Sequence, residues 1–254
     1  MSTSPLAPLN FRDLGGAPVP GGSVARGRLF RTAHLSDISE ISAGHLQESL
    51  AIGVYIDFRL DHDIVLDGEP KPLLARGVRW QRHPFDLSDA IFNGIAAPRP
   101  EDWRGMYGRG FQRLRQEVAG AIQLIALART PVVFGCWAGK DRTGIVAALL
   151  LSLLAVDDAW IADDFAKTGA ALLPRKDRFA FLWSGRPEAE AEILHAHLRT
   201  EPETIIGFLN DVREQFGSLR RALELPDSVL SALSARYVEA SPVSAPSASS
   251  RALT

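Results

Sequence analysis

The stretch Val132-Val-Phe-Gly-Cys136-Trp-Ala-Gly-Lys-Asp-Arg142-Thr-Gly144 determines the fold that this sequence predicts. Its first part, together with Pro131, is a short apolar run typical of a buried strand. A loop containing glycine follows, and the apolar run from Ile145 to Leu154 is long enough for a buried helix. A strand, a short glycine loop and a helix in direct succession form a phosphate-binding architecture, because N–H groups of the loop and the helix start converge on an anion.

Six residues of this loop are predicted to bind the phosphate, chiefly through backbone N–H groups: Trp137, Ala138, Gly139, Lys140, Asp141 and Arg142. The planar guanidinium of Arg142 can also hold two phosphate oxygens at once. The same positive surroundings favour the thiolate form of Cys136. The sequence therefore predicts that Cys136 displaces the ester oxygen and forms a phosphocysteine, which water hydrolyses without a metal or a cofactor. Thr143 is predicted to donate a hydrogen bond to the leaving sulfur.

The rest of the chain predicts an α/β domain with a small central sheet, flanked by helices and followed by a helical C-terminal half. Strand-type runs occur only in the first half, as at 53–57 and 80–83. Helical patterns are found at 43–50, 103–127, 158–171, 188–200, 202–216 and 227–237. The segment 86–110, which mixes prolines, glycines and charges, is predicted to be a long loop near the site or a lid over it.

The composition is that of one globular domain. Of the 254 residues, 46% are hydrophobic and 23% are charged, which suffices for a substantial core. We predict a catalytic domain at residues 10–240, preceded by a flexible lead-in at residues 1–9. Residues 241–254 are rich in Ser, Ala and Pro and are predicted to be a disordered tail, because such a segment cannot bury enough apolar surface.

Charge and cysteine content narrow the class of protein. A formal net charge of −2 argues against a protein that coats nucleic acid. Cys136 is the single cysteine, so a reducing, cytoplasmic location is predicted. The N-terminus shows no secretory signal, and the apolar run from Ile145 to Val156 is too short to cross a bilayer. The predicted partner is a phosphorylated protein or small molecule, with no nucleic acid and no membrane span.

Several spaced motifs resemble those of one family. They are Asn10-Phe-Arg-Asp-Leu-Gly-Gly16, Gly27-Arg-Leu-Phe-Arg31-Thr, Asp57-Phe-Arg59 and Cys136-x-Ala-Gly-Lys-Asp-Arg142-Thr-Gly. In this order they resemble the bacterial tyrosine phosphatase family of atypical dual- or triple-specificity enzymes. The resemblance implies a cysteine-phosphatase-like fold and activity on phosphotyrosine, often on phosphoserine or phosphothreonine, and sometimes on phosphoinositides. It also implies that Lys140 adds charge for multiply phosphorylated substrates.

One departure from the family pattern concerns residue 135, which is glycine here and usually histidine in the family. It leaves a second substrate class open, namely small metabolites such as sugar or nucleoside monophosphates. A phosphate-binding relative without turnover is a third interpretation, which the retention of Cys136 and Arg142 disfavours. An aspartate nucleophile at Asp61-His-Asp63 is also disfavoured, because such an aspartate directly follows an apolar strand, whereas Arg59 and Leu60 intervene here.

Two aspartates are candidates for the general acid that protonates the leaving oxygen. Asp86, in His83-Pro-Phe-Asp86-Leu, resembles the movable acid loop of the family, whereas Asp141 lies in the phosphate loop itself. We expect Asp86 to protonate the leaving group and Asp141 to orient water or anchor a positive side chain. A solvated, mutually satisfied Lys140–Asp141 pair is the alternative interpretation of that dipeptide.

Three further residues are predicted to support the site without taking part in the chemistry. Arg12 and Asp13 are predicted to form an ion pair that ties the N-terminal segment beneath the phosphate loop. Arg59 is predicted to have the same structural part together with Asp57.

Overall fold

The computed structural model describes residues 7–87, 89, 95, 97–183 and 190–241. The strands within them are β1 (Arg12–Asp13), β2 (Pro18–Val19), β3 (Gly22–Val24), β4 (Leu29–Thr32), β5 (Val54–Asp57), β6 (Arg79–Arg82), β7 (Val132–Gly135) and β8 (Val238–Ala240). The α-helices are α1 (Glu40–Gly44), α2 (Asp61–Asp67), α3 (Lys71–Leu74), α4 (Pro100–Arg113), α5 (Arg115–Leu127), α6 (Asp141–Leu153), α7 (Asp158–Leu172), α8 (Glu190–Leu198), α9 (Pro202–Phe216), α10 (Leu219–Ala222) and α11 (Asp227–Tyr237).

A five-stranded sheet in the order β1-β4-β7-β5-β6 forms the centre of the fold. β1 is antiparallel to β4, and the other neighbours are parallel. Because Gly135 at the end of β7 is in register with Thr32 of β4 and Asp57 of β5, these three strands end at one edge. The loops that follow them therefore meet at the carboxyl edge, where open α/β sheets bind their ligands. The predicted α/β class is confirmed.

Two apolar layers cover the sheet, because side chains alternate between the faces of its central strands. Val132 and Phe134 of β7 pack into a large core with α4, α5, α6 and α9. Val133, between them, packs on the other face with Tyr55 of β5 and Leu46. The helix predicted after the phosphate loop is confirmed as α6, which is buried almost all round.

A second sheet of three antiparallel strands, β2-β3-β8, joins the two ends of the chain. Val24 of β3 lies opposite Val238 of β8. The prediction that strands occur only in the first half is therefore wrong. β8 is three residues long and follows α11 directly, so its sequence alone carries too weak a strand pattern to be recognised.

The helices agree with the predicted patterns, apart from their ends. The predicted helix at 103–127 is two helices, which meet at Leu114 in a non-helical conformation. The predicted loop at 86–110 is also shorter than expected, because α4 begins at Pro100; positions 88, 90–94 and 96 lie outside the described residues. Within the described part of the chain, no helix has the length and apolarity needed to cross a bilayer.

Candidate active site

The predicted phosphate loop connects β7 to α6 and lies directly against the end of β4. Gly139 has a φ of +69°, and a Cβ there would lie 2.3 Å from the Thr32 carbonyl oxygen. The backbone N–H of His34 also donates to the Trp137 carbonyl at 3.1 Å. A glycine at position 139 is therefore required both by the backbone conformation and by the close approach of β4.

Gly135 is also fixed by its surroundings. A Cβ at this position would lie 2.7 Å from the Thr32 carbonyl oxygen and 2.9 Å from that of Ala33. Both are backbone atoms, so no side chain fits without moving the end of β4. A glycine at this position therefore permits the close contact between the end of β7 and the end of β4.

Side chains from the N-terminal segment and β4 hold the loop from outside. The Asn10 amide donates to the carbonyls of Ala138 and Gly139, at 3.1 and 3.0 Å, and Arg31 Nη2 donates to the Gly139 carbonyl at 2.8 Å. In a trans peptide the C=O and N–H groups point in opposite directions. The N–H groups of Gly139 and Lys140 therefore point away from Asn10 and Arg31, as a phosphate cradle requires.

Asp164 of α7 joins these supporting residues beneath the loop. Its carboxylate accepts from Arg12 Nε and from Arg31 Nη1, each at 2.6 Å, and all three groups are largely buried. Burial works against the charge of Asp164, but the two arginines outweigh it and hold its pKa below the usual value. The network links α7 to both β1 and β4.

The predicted Arg12–Asp13 ion pair is wrong. Arg12 pairs with Asp164, and Asp13 instead accepts the backbone N–H groups of Gly15 and Gly27, each at 2.7 Å. Successive residues of a strand point to opposite faces, which separates the two side chains.

Sequence reasoning missed Asp164, although a signal was present. Its helix neighbours Ile161, Phe165 and Thr168 are buried, so helical spacing places this aspartate on the buried face of α7. A carboxylate at such a position needs a cationic partner.

The predicted pairing of Asp57 with Arg59 is confirmed. Both side chains are fully buried, and Arg59 Nη2 lies 2.8 Å from Asp57 Oδ2. Trp80 Nε1 donates to the same oxygen at 3.1 Å. The pair fixes the turn after β5, which borders the phosphate loop through the hydrogen bond from Phe58 N to the Gly135 carbonyl.

Arg142 closes one side of the site. Its Nη1 donates to the Phe58 carbonyl at 2.9 Å, and its Nη2 lies 3.2 Å from Asp63 Oδ2. Burial disfavours its charge, but Cys136 and Asp63 outweigh the burial and raise the pKa of Arg142. Asp63 therefore orients the predicted phosphate-binding guanidinium, a contact that crosses from α2 to α6 and is not visible in the sequence.

Cys136 lies at the base of the loop and is only 3% exposed. Three cationic side chains lie near it: Arg142, whose pKa is raised although burial opposes this, and Lys140 and Arg31, whose pKa values burial lowers to about 8 and about 10. Cys136 thus packs at the edge of the main apolar core, with these cationic side chains around it.

The Thr143 hydroxyl is fully buried in the first turn of α6 and makes no hydrogen bond to any described residue. The predicted bond to sulfur is therefore not formed in this structure. A buried hydroxyl without a partner costs about 1–3 kcal/mol. The Thr143 role stays a prediction.

Lys140 does not point into the site. Its ammonium group donates to the His197 carbonyl at 2.6 Å and lies 3.1 Å from the centroid of the Trp103 ring, and the residue is 2% exposed. Burial lowers its pKa to about 8, although Asp141 and Cys136 partly oppose the shift. The alternative of a Lys140–Asp141 pair is right about the pairing, since the two groups lie 3.5 Å apart, and wrong about solvation, since Lys140 is buried. Lys140 also connects the phosphate loop to α4 and α8.

Both candidates for the general acid line one cavity of about 270 Å³ beside the loop. Asp141 accepts a hydrogen bond from the Tyr107 hydroxyl at 2.6 Å and lies 3.5 Å from Lys140 Nζ. Asp86 reaches the cavity from the segment after β6, and its carbonyl accepts from Arg113 Nη2 at 3.0 Å. Arg142 lines the same cavity, so the structure brings the two aspartates and the guanidinium together.

The remaining predicted loop residue, Trp137, packs outward. Its ring lies 5.1 Å from that of Phe179, with an edge-to-face arrangement. Trp137 thus contributes its side chain to packing, as expected from the sequence. The role of its backbone N–H in binding phosphate stays a prediction.

A model of the tyrosine phosphatase family matches residues 7–239. The chain belongs to this family. The family predicted from the spaced motifs is thereby confirmed, and the family's name agrees with the predicted phosphoric monoester hydrolase.

Three curated relatives are named as protein phosphatases. A protein of Cupriavidus necator, provisionally named a tyrosine-protein phosphatase, is 31% identical over 159 residues, covering 58% of this chain and 55% of the relative. A tyrosine-protein phosphatase of Nostoc commune is 35% identical over 83 residues, covering 33% of this chain and 23% of the relative. The triple specificity protein phosphatase PtpB of Mycobacterium tuberculosis is 24% identical over 253 residues, covering 83% of this chain and 88% of PtpB. The chain thus spans about half or less of the first two relatives.

Two solved structures show a weaker likeness. P. aeruginosa TpbA in complex with pTyr has a TM-score of 0.37 and 18% identity, covering 59% of this chain and 76% of TpbA. The core catalytic domain of the PP-IP phosphatase SIW14 from S. cerevisiae has a TM-score of 0.40 and 13% identity, covering 76% of this chain and 86% of the SIW14 domain.

Proposed function

We propose that this chain hydrolyses phosphate monoesters through a phosphocysteine on Cys136. The observation that carries the proposal is the position of Cys136 at the base of a loop whose carbonyls of residues 138 and 139 are bonded outward to Asn10 and Arg31. Their peptide N–H groups then face inward, where Arg142 adds the positive charge that stabilises the transferring phosphoryl group.

The other residues take distinct parts in this proposal. Asp141 is already held by Tyr107 and Lys140, so it acts as an anchor of the loop. Asp86 comes from a separate segment on the same cavity and protonates the leaving oxygen. Thr143 donates its buried hydroxyl to the sulfur when the phosphate leaves, which would give that group the partner it lacks.

We assign protein tyrosine or dual-specificity substrates to this site. Support comes from the names of the relatives, which are tyrosine-protein phosphatases or a triple specificity protein phosphatase. The cytoplasmic location and the absence of a nucleic-acid partner stay predictions.

The enzyme proposal is tested with an aryl phosphate in the presence of EDTA. We expect wild type to turn over and Cys136→Ser to lose at least about a thousandfold in kcat, because the nucleophile is removed. Equal rates for the two proteins would refute the proposal and favour a phosphate-binding relative without turnover. Activity that vanishes in EDTA and returns with magnesium would instead favour an aspartate nucleophile.

The substrate assignment is tested by comparing kcat/KM on phosphotyrosine and phosphoserine peptides with kcat/KM on a panel of sugar and nucleoside monophosphates. We expect the phosphotyrosine peptide to be the best substrate. A sugar or nucleoside monophosphate that exceeds it would reject the protein-phosphatase assignment while leaving the cysteine mechanism intact.

A further inference from the structure

The outer face of α2 carries two strongly exposed aliphatic side chains. Val65 is 84% exposed, and Leu66, the next residue, is 73% exposed. Each of them gains free energy when another surface covers it, because apolar area is then removed from water. We call Val65 and Leu66 together the α2 patch.

The α2 patch adjoins the cavity beside the phosphate loop. His62 and Asp63 of the same helix line this cavity, and Leu60, directly before the helix, lines it as well. Residues three and four apart lie on one face of a helix. His62, Val65 and Leu66 are spaced in this way, so the patch lies one helical turn beyond the wall of the cavity.

Ion pairs hold α2 in a fixed position relative to the phosphate loop. Asp63 lies 3.2 Å from Arg142 Nη2 and also accepts the backbone N–H of Leu60 at 2.9 Å. At the start of the helix, Asp61 lies 2.6 Å from Arg82 Nη2. The patch is therefore at a defined distance from the phosphate that Arg142 is proposed to bind.

A bound peptide can reach from the cavity to the patch within a few residues. The cavity also has apolar walls at Leu87, Trp103 and Met106, which suit the side chain that carries the phosphate. One helical turn rises about 5.4 Å, and each residue of an extended peptide spans about 3.3 Å. The side chain that meets the patch is thus one or two residues away from the phosphorylated one.

We propose that the α2 patch binds a large apolar side chain of the phosphorylated peptide, located one or two residues from the phosphorylated residue. The inference rests on the proposed function and narrows its substrate class. The occupant is the substrate because the patch continues the wall of the cavity that receives the phosphate. Its side chain is apolar because Val65 and Leu66 offer no side-chain hydrogen-bond donor or acceptor. The two residues determine specificity and take no part in the chemistry.

The first test compares phosphotyrosine peptides of equal length and charge that differ in one residue. Leucine or serine is placed in turn at the two positions before and the two positions after the phosphotyrosine. The ratio of kcat/KM between the leucine and the serine peptide is the leucine advantage. We expect it to reach about tenfold at one of these positions, because the contact removes apolar area of both partners from water.

The salt dependence shows whether this advantage is apolar in origin. We expect it to persist in 0.5 M NaCl, since salt screens charges and not apolar contacts. A leucine advantage below about threefold at all four positions would overturn the inference. An advantage that disappears in 0.5 M NaCl would overturn it as well.

The double variant Val65→Ser, Leu66→Ser tests the patch directly, with Ile41→Ser as its matched control. Ile41 is an aliphatic residue of α1 that is 69% exposed and is not among the described residues that line the cavity. We expect the leucine advantage to fall below about threefold in the double variant and to be retained in Ile41→Ser. A general loss of activity cancels, because the advantage is a ratio measured on one protein. An undiminished advantage in the double variant would contradict the proposal.

Two other occupants of the patch are tested with the same proteins. Sedimentation velocity detects a second copy of the chain, and co-sedimentation with phosphatidylcholine vesicles detects a bilayer. We expect wild type and the double variant to behave alike in both measurements. A dimer, or vesicle binding, that only wild type shows would give the patch a different occupant and overturn the inference.

Turnover of an aryl phosphate, which has no flanking residues, separates this inference from the proposed function. If wild type does not hydrolyse it, the proposed function fails and the inference fails with it. If wild type hydrolyses it but shows no leucine advantage, only this inference fails.

Discussion

At the scale of single residues, Gly135 shows how closely the strand before the phosphate loop is packed. A side chain there meets the carbonyl oxygens of Thr32 and Ala33, both fixed in the backbone. We expect Gly135→Ala to lower the free energy of unfolding by about 2 kcal/mol, since overpacking against rigid atoms costs about 1–3 kcal/mol. Gly135→His, which restores the family's usual residue, should cost at least as much. Urea denaturation measures both.

Gly108→Ala is the matched control for Gly135. Gly108 lies inside α4, and a Cβ there meets nothing within 4 Å. Replacing an unconstrained helical glycine with alanine should stabilise the protein by up to about 1 kcal/mol. If Gly135→Ala proved as stable as Gly108→Ala, the close contact between β7 and β4 would be refuted.

The buried ammonium group of Lys140 predicts a dependence of stability on pH. Burial lowers its pKa from 10.5 to about 8 in the folded protein. Between these two values the unfolded chain holds the proton more strongly than the folded one, so the free energy of unfolding should rise with pH across this window. The rise is about 3 kcal/mol at most.

Urea denaturation of wild type and Lys140→Met at pH 8 and pH 10.5 isolates this contribution. Other groups titrate equally in both proteins, so the difference between them reports Lys140. Wild type should gain stability relative to the variant as the pH rises. Equal changes in the two proteins would mean that Lys140 is exposed to water in the folded state.

At the scale of elements, α7 holds the phosphate loop through one carboxylate. Asp164→Asn would leave Arg12 and Arg31 buried without their counter-ion, so we expect a loss of about 3–5 kcal/mol in the free energy of unfolding. Because pairing lowers the pKa of Asp164, its contribution is present at neutral pH and is lost as the pH falls through the folded-state pKa.

Asp163→Asn, one residue away on the exposed face of α7, is the matched control for Asp164 and should change stability by less than about 0.5 kcal/mol. A folded Asp164→Asn protein should also show reduced kcat, because Arg31 no longer holds the Gly139 carbonyl in place. If Asp164→Asn kept full stability and full activity, α7 would not support the site through Asp164.

The sequence predicts elements whose determinants are local. The strand, loop and helix around Cys136 follow from adjacent residues, and α9 and α11 begin and end as their apolar spacing indicates. Contacts between elements that are far apart in the sequence cannot be predicted from adjacent residues. Arg12 pairs with Asp164, which is 152 positions away in the sequence, and Arg142 pairs with Asp63, which is 79 positions away. The sequence shows only neighbouring charges, and these predict the Arg12–Asp13 pair instead.

At the scale of the whole molecule, β8 ties the C-terminal part of the described chain to β3. Its three residues pair with Gly22–Val24, and Ser241 N donates to the Gly21 carbonyl. A chain that ends at Tyr237 loses these contacts and should be about 2–3 kcal/mol less stable, at about 1 kcal/mol for each hydrogen bond.

The chain that ends at Ser241 is the control for this truncation and also tests the predicted domain limits. It keeps β8 and removes the predicted tail except for Ser241, whose N–H is bonded to Gly21, so we expect its urea midpoint to equal that of the full chain. A lower midpoint would show that residues 242–254 belong to the folded domain. Equal midpoints for all three chains would show that β8 does not contribute to stability.

The most direct test of the whole account is to trap the reaction intermediate. Wild type is mixed with an aryl phosphate, quenched in acid within milliseconds, digested and analysed by mass spectrometry. We predict one phosphate on the peptide that contains Cys136, and none on that peptide in Cys136→Ser. Phosphate on an aspartate such as Asp61 or Asp63, or turnover with no phosphoenzyme and undiminished activity in Cys136→Ser, would contradict the account.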